Sequence, residues 1–176
     1  MTLALGSQAA PFRLPAVAGG ERALDDYAQA PALALIWSCN HCPYVRAWED
    51  RLGEIARDAA EVGVRVVAVN ANDYPGDSFD DMRDRAAEKG FPFPYVRDAS
   101  QEVARAYGAE RTPEVFLVDP TGTVVYHGAI DDNYDDPAAV REPYLRNAID
   151  ALIAERAPEV TQTAPVGCTI KWRRDG

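Results

Sequence analysis

Apolar positions change their spacing along this chain, and the changes mark out its elements. Ala32–Trp37 ("ALALIW") is apolar at every position, as in a strand buried on both faces. Val45, Trp48, Leu52, Ile55 and Ala59 then recur three or four residues apart, which predicts an amphipathic helix stopped by Gly63. "VRVVAV" (Val64–Val69) predicts a second buried strand. Phe79, Met82 and Ala86 form the stripe of the next helix, with Asp77 as its cap and Gly90 as its end. "FPFPYV" is too rich in proline for a helix. Asp98 or Ser100 can cap a short helix that runs to Tyr107 and stops at Gly108. Val115–Val118 and Thr123–His127 flank "DPTG", whose Pro120 and Gly122 suit a type I turn and hence an antiparallel hairpin. Leu145, Ala148, Ile149, Leu152 and Ile153 share one face of a last helix. Ahead of all these, "PFRLPAVAGGERALDDY" breaks at Gly19-Gly20 and predicts a β-hairpin or extended arm.

Strands that alternate with helices pair in parallel through right-handed crossovers, and the hairpin adds an antiparallel edge. The expectation is an α/β fold with a central mixed sheet between helix layers. It forms a single domain over 1–176, with an N-terminal extension over 1–30 and an extended tail over 158–176. Ligand sites in such sheets lie beyond the carboxyl ends of the parallel strands. There the chain places "SCNHCP".

Composition adds exclusions. A hydrophobic fraction of 47% supports a real core, and a net charge of −10 argues against nucleic acid or an anionic membrane as partner. "MTLALGSQAAPFRLP" has no basic segment of the signal-peptide kind, and no run approaches the roughly 18 apolar residues of a membrane span. The expected location is cytoplasmic. Structural disulfides are rare there, so a close cysteine pair points to catalysis or metal binding.

Cys39 and Cys42 stand two residues apart, between a buried strand and a helix start. Unpaired N–H groups at a helix N-terminus favour a thiolate. The expected roles are Cys39 as exposed attacker, Cys42 as more buried resolver and His41 as the charge that tunes them. Pro43 fits the first helical position. An imidazolium beside the thiolate would push the pair's potential in the direction of ~−200 mV or higher. A closed zinc site needs four ligands, and Cys39, His41 and Cys42 supply at most three. No metal and no cofactor are therefore expected.

"CNHCPYVRAWEDRL", "RTPEVFLVD", "IDDN" and "GCTIKW" together resemble the thioredoxin-like superfamily, in its AhpC/TSA-type, peroxiredoxin-like branch. The resemblance implies a thioredoxin-like fold with an N-terminal β-hairpin extension. It also implies a cis bond at Thr112-Pro113 facing the cysteines, where Thr112 and Pro113 would shape a substrate groove. A peroxiredoxin site resembles P-x-x-x-[TS]-x-x-C. The two required positions hold Leu35 and Cys39 for Cys42, and Ala32 and Ile36 for Cys39, so neither cysteine matches. The buried acid usual in the superfamily is also missing, because Leu33 stands at its place. Glu114, then Glu49, then His41 are the candidates to move the resolving proton.

Two further segments carry possible chemistry. Asp131, Asn133, Asp135 and Glu142 have calcium-loop spacing, but Asp136 replaces the glycine that the loop's turn needs, so a solvated turn is expected. In the tail, "CTIKW" suits an extended segment with Ile170 and Trp172 facing away from Lys171. If it folds back on the site, Cys168 becomes a third redox thiol, with Lys171 adding positive potential and Trp172 packing beside it. The leading expectation is a thiol–disulfide oxidoreductase acting on protein or small-molecule disulfides with a thiol reductant. The alternatives are a thiol-dependent peroxidase acting on peroxides and a redox-sensing or binding module with little turnover.

Overall fold

The computed structural model describes residues 1–174. Among the described residues, nine strands and four α-helices follow one another as β1 (Arg13–Pro15), β2 (Glu21–Ala23), β3 (Leu33–Trp37), α1 (Pro43–Glu61), β4 (Arg65–Asn70), α2 (Phe79–Lys89), β5 (Tyr95–Arg97), α3 (Glu102–Tyr107), β6 (Arg111–Thr112), β7 (Glu114–Val118), β8 (Val124–Gly128), α4 (Tyr144–Ile153) and β9 (Cys168–Thr169). The central sheet has the order β5-β4-β3-β7-β8. β3, β4 and β5 run parallel, whereas β7 lies antiparallel to β3 and β8 antiparallel to β7. This is the expected thioredoxin-like mixed sheet, and β1 with β2 forms the expected N-terminal hairpin.

The unbroken apolar run of β3 is explained by its central place, because successive side chains enter opposite layers. Ala34 and Ile36 join Trp48, Leu52 and Ile55 of α1, Met82 of α2 and Leu145 of α4. Leu35 and Trp37 join Phe12 and Leu14 of the arm, Tyr107 of α3 and Ile170 of the tail. The N-terminal arm and the C-terminal tail thus complete one of the two cores.

Several local expectations shift. Ser78, not Asp77, caps α2: its hydroxyl accepts the Asp81 N–H, and the Asp81 carboxylate accepts the Ser78 N–H. Residues Tyr95–Arg97 of the proline-rich segment form edge strand β5, where the prolines precede the ladder rather than interrupt it. Asp98 and Ser100 both serve α3, accepting the N–H groups of Ala104 and Glu102. The tail is built onto the domain as far as it is described, and residues 175–176 lie outside the described residues.

Candidate functional site

Strand β3 ends at Trp37, and its continuation delivers Cys39 and Cys42 to the start of α1, with Cys42 as the N-cap residue and Pro43 in the first turn. The loop between them is tightly held. The Asn40 N–H donates to Asp77 Oδ1 at 2.6 Å, its Nδ2 to the Gly76 carbonyl at 2.9 Å, and its Oδ1 accepts from the Tyr95 hydroxyl at 3.0 Å. Arg46 Nε reaches back to the Asn40 carbonyl at 2.8 Å. His41 Nδ1 pairs with Asp77 Oδ2, and the imidazole lies against Tyr74 with ring centroids 4.1 Å apart. Opposite, the Thr112-Pro113 peptide bond is cis, as expected. Thr112 Oγ1 lies 3.4 Å from Cys39 Sγ, and the Thr112 carbonyl accepts from a neutral Cys42 thiol at 3.3 Å.

Cys42 is buried, as expected, but Cys39 is buried with it, against expectation. Cys39 is 1% exposed and Cys42 0%, so Cys39 is no surface nucleophile. The charge distribution also differs. Cys42 is drawn below the ordinary thiol range, first by the Cys39 thiol, against burial, and then by the Cys168 thiol and the N–H groups of Val45 and Cys168. Cys39 is pushed up by giving its hydrogen bond to Cys42, by burial and by the Asp77 carboxylate, with the Thr112 hydroxyl opposing. One negative charge is shared between two close sulfurs: the Cys168 thiol and the Val45 and Cys168 N–H groups draw it towards Cys42, and the Thr112 hydroxyl draws it towards Cys39. Forming the Cys42 thiolate gives up one bond to the Thr112 carbonyl in exchange for donors that favour the charged form.

Glu114 and Glu49, the first candidates for the proton path, are each held by other partners. Glu114 Oε2 accepts the Glu110 and Arg111 N–H groups, each at 2.8 Å, and its Oε1 meets His127 Nε2 at 2.6 Å. It anchors the loop that leads to Thr112. Glu49 is held by Arg85 at 2.6 Å, between α1 and α2. The carboxylate that stands beside the thiols is Asp77, which reads as a helix cap in the sequence. Its side chain is 0% exposed, and Asn70 Nδ2 donates to its Oδ1 at 2.8 Å. No spacing rule points to it, because it comes from the loop after β4. Cys39 Sγ, a His41 ring nitrogen and an Asp77 oxygen lie within 4.8 Å of one another, the one such group of possible metal donors among the described residues. Asp77 Oδ1 is already filled by two N–H donors.

The tail does fold back on the site. β9 pairs antiparallel with β6, with Thr112 opposite Cys168, and Cys168 packs against Cys39, Cys42 and Val45. Lys171 acts on Cys168, whose thiolate it favours together with Arg111. Ile170 is buried, and the Trp172 ring lies under the Arg105 guanidinium at 4.6 Å. The 131–136 loop is filled by a side chain: Arg51 donates to Asp131 Oδ2 at 2.8 Å and to the Asn133 and Tyr134 carbonyls. A guanidinium thus sits where the sequence spacing suggested a cation.

Two close cysteines at a helix start thus face a cis-proline loop on this sheet. The family model described as "AhpC/TSA family" matches residues 5–127. The chain belongs to the AhpC/TSA family. It is 31% identical over 124 residues to the thiol-disulfide oxidoreductase ResA of Geobacillus thermodenitrificans (strain NG80-2), covering 69% of this chain and 67% of that protein. A crystal structure of an uncharacterized conserved protein from Geobacillus kaustophilus superposes with a TM-score of 0.93 at 39% identity, covering 98% of this chain and 94% of that one. The peroxidoxin BcpB of Mycobacterium tuberculosis shares the fold at 21% identity, with a TM-score of 0.66 and coverage of 87% and 98%. The family match ends at His127, so α4 and the tail lie beyond it. No helix among the described residues is long and apolar enough to cross a membrane.

Proposed function

We propose that this redoxin is a thiol–disulfide oxidoreductase whose working couple is Cys39–Cys42. The observation that carries this reading is the placement of two close, buried thiols at the N-terminus of α1, facing the Thr112-Pro113 cis bond. Thiolates, not thiols, attack disulfides. Cys42 attacks one sulfur of a substrate disulfide and expels the other as a thiolate. Cys39 then loses its proton and attacks Cys42 Sγ, which closes the Cys39–Cys42 disulfide and releases the second substrate thiolate. This reverses the roles assigned from the sequence. The His41–Asp77 pair beside Cys39 receives the proton.

The test equilibrates the protein in glutathione buffers of graded potential, quenches it with an alkylating agent and maps the peptides without reduction. The reading requires a Cys39–Cys42 disulfide that forms and reopens reversibly, and turnover of a small disulfide that disappears in Cys42→Ser. A pair that stays reduced at all potentials contradicts it.

One observation favours a second reading, reduction of peroxide. The hydroxyl absent from the sequence positions before either cysteine is supplied across the site by Thr112, at 3.4 Å from Cys39 Sγ. In that reaction a thiolate at Cys39 becomes a sulfenic acid as peroxide is reduced to water, and Cys42 condenses with it to a disulfide and a second water. Hydrogen-peroxide consumption with trapping of a Cys39 sulfenic acid by dimedone supports it. Disulfide turnover without peroxide consumption rules it out.

A further inference from the structure

Reaction at Cys39 and Cys42 needs a route to solvent, and both residues are enclosed, at 1% and 0% exposure. One element packed over them is the tail, through Cys168, and it is constructed for this place. Gly167 has no room for a side chain, because a Cβ there would run into the Thr112 carbonyl and Pro113 N. Cys168 then lies opposite Thr112 in the β6–β9 ladder, and the Ile170 N–H donates to the Glu110 carbonyl at 2.9 Å. Further on, the Lys171 N–H donates to Asn72 Oδ1 at 2.9 Å. The Lys171 carbonyl accepts from the Asp73 N–H at 2.8 Å and from Gln101 Nε2 at 2.9 Å. The same Gln101 amide receives the Arg173 N–H at 2.9 Å. Ile170 is 2% exposed, whereas Cys168, two residues before it, is only half-buried. Of the three cysteines in the chain, Cys168 is the one that touches both the buried pair and the surface.

We propose that Cys168 is a third redox cysteine, which moves the disulfide of the buried pair outward to a Cys42–Cys168 bond that a low-molecular-weight thiol attacks. The proposal rests on the reading of Cys39–Cys42 as a redox couple. Starting from the oxidised pair, the Cys168 thiolate attacks Cys42 Sγ. The S–S bond to Cys39 breaks, the Cys42–Cys168 bond forms, and Cys39 leaves as a thiolate that takes up a proton. A small thiol then attacks Cys168 Sγ and frees the Cys42 thiolate. A second small thiol releases Cys168, so two solute thiols become one solute disulfide and the pair ends reduced.

The electrostatics change in the direction that these steps need. In the reduced site Cys168 is pushed up to about 11, by burial and then by the Cys42 thiolate beside it, against Lys171 and Arg111. Oxidation of Cys42 removes that neighbouring charge and leaves the two cations in place. Cys168 is thus held as a thiol while the pair is reduced and released to attack once it is oxidised. The same ladder sets the partner class. The β6 edge beside the cis-proline is already occupied by β9, so an extended polypeptide cannot pair with Thr112 unless the tail leaves. Small thiols and disulfides are the solutes that this site takes.

The experiment oxidises the full chain with diamide, then follows reduction by glutathione with rapid alkylation and non-reducing peptide mapping. In wild type a Cys42–Cys168 peptide rises and falls, and Cys168→Ser slows opening of the Cys39–Cys42 bond by about tenfold or more. As a second route, diamide on Cys39→Ser accumulates the Cys42–Cys168 link within one chain, which decides the matter even if Cys168→Ser folds poorly. Opening at the wild-type rate in a folded Cys168→Ser, or a Cys39→Ser protein that forms no Cys42–Cys168 link, overturns the relay while leaving the redox couple standing. A wild-type chain that never forms Cys39–Cys42 overturns both.

Discussion

The chain has two histidines, and each is paired with a buried carboxylate at one side of the cis-proline loop. The pairs look alike and are placed for different work. His127–Glu114 is sealed, with side-chain exposures of 6% and 1%, and both Glu114 oxygens are filled by the imidazole and two loop N–H groups. It fixes where β6 runs and so where Thr112 stands. His41–Asp77 opens to solvent through the imidazole, at 18%, and Asp77 is one of the groups that raise Cys39. The tail ties the two regions together. Its Thr161 and Thr163 backbone atoms bond to His127, and its Lys171 bonds to Asn72, next to the Asn70 amide that holds Asp77. A buried acid–histidine pair is therefore not by itself a sign of catalysis. What separates the two is that a cysteine sulfur, Cys39, lies within reach of His41–Asp77.

Substitutions should pull the pairs apart. The largest effect is expected at Glu114→Ala, which leaves two backbone donors and His127 without their acceptor inside the protein. The cost is about 3–5 kcal/mol of stability, read from urea unfolding. If the remaining folded protein keeps the wild-type Cys39–Cys42 potential, the architectural assignment stands, and a shifted potential breaks the contrast. Asp77→Asn keeps the shape but removes the charge beside the thiols. Disulfide exchange is expected to slow by about 10–100-fold, with Cys39 becoming more acidic because a carboxylate that opposed its ionisation is gone. A wild-type rate and an unmoved Cys39 titration would make this pair as architectural as the other.

Smaller effects sharpen the picture. Gly167→Ala forces the tail off Thr112, and iodoacetamide should then alkylate Cys42 several-fold faster, as read by peptide mapping; unchanged labelling would mean that the tail is no barrier. The pH dependence of the reduced protein's stability is the last. A thiol whose folded value is depressed contributes stability that is complete above its unfolded value, about 8.5, and is lost as pH falls through the folded value. For Cys42 the urea midpoint therefore rises from acid pH towards about 8.5. Above that, Cys39 and Cys168, whose folded values are raised, oppose folding because the unfolded chain ionises first. The oxidised protein, with Cys39 and Cys42 bonded, should lose the acid-side rise, and a rise that persists would place it on other groups.

Much of this fold is readable from spacing, because each layer of the sheet imposes its own period. The run at Ala32–Trp37 and the three-and-four pattern from Val45 to Ala59 report burial on two faces and on one. The cysteine pair and the Thr-Pro are readable because the chemistry needs them adjacent in sequence. Asp77 was not, because its role arises only when the loop after β4 folds over Asn40 and His41, and locally it looks like any cap before a helix. The sulfur bearing the charge was hidden for a similar reason: Cys168 enters from 126 residues away and supplies an N–H and a thiol to Cys42. Strand β5 was masked by its prolines, which lie just outside the ladder.

The measurement that tests the account most directly is carbon NMR of the reduced protein with labelled cysteine, followed across pH and assigned by single serine substitutions. The Cys42 β-carbon should titrate on the acid side of an ordinary thiol, while Cys39 stays protonated through the range in which free thiols ionise. A Cys39 signal that titrates first, with Cys42 unmoved, would contradict the placement of the thiolate and with it the direction of exchange through the tail.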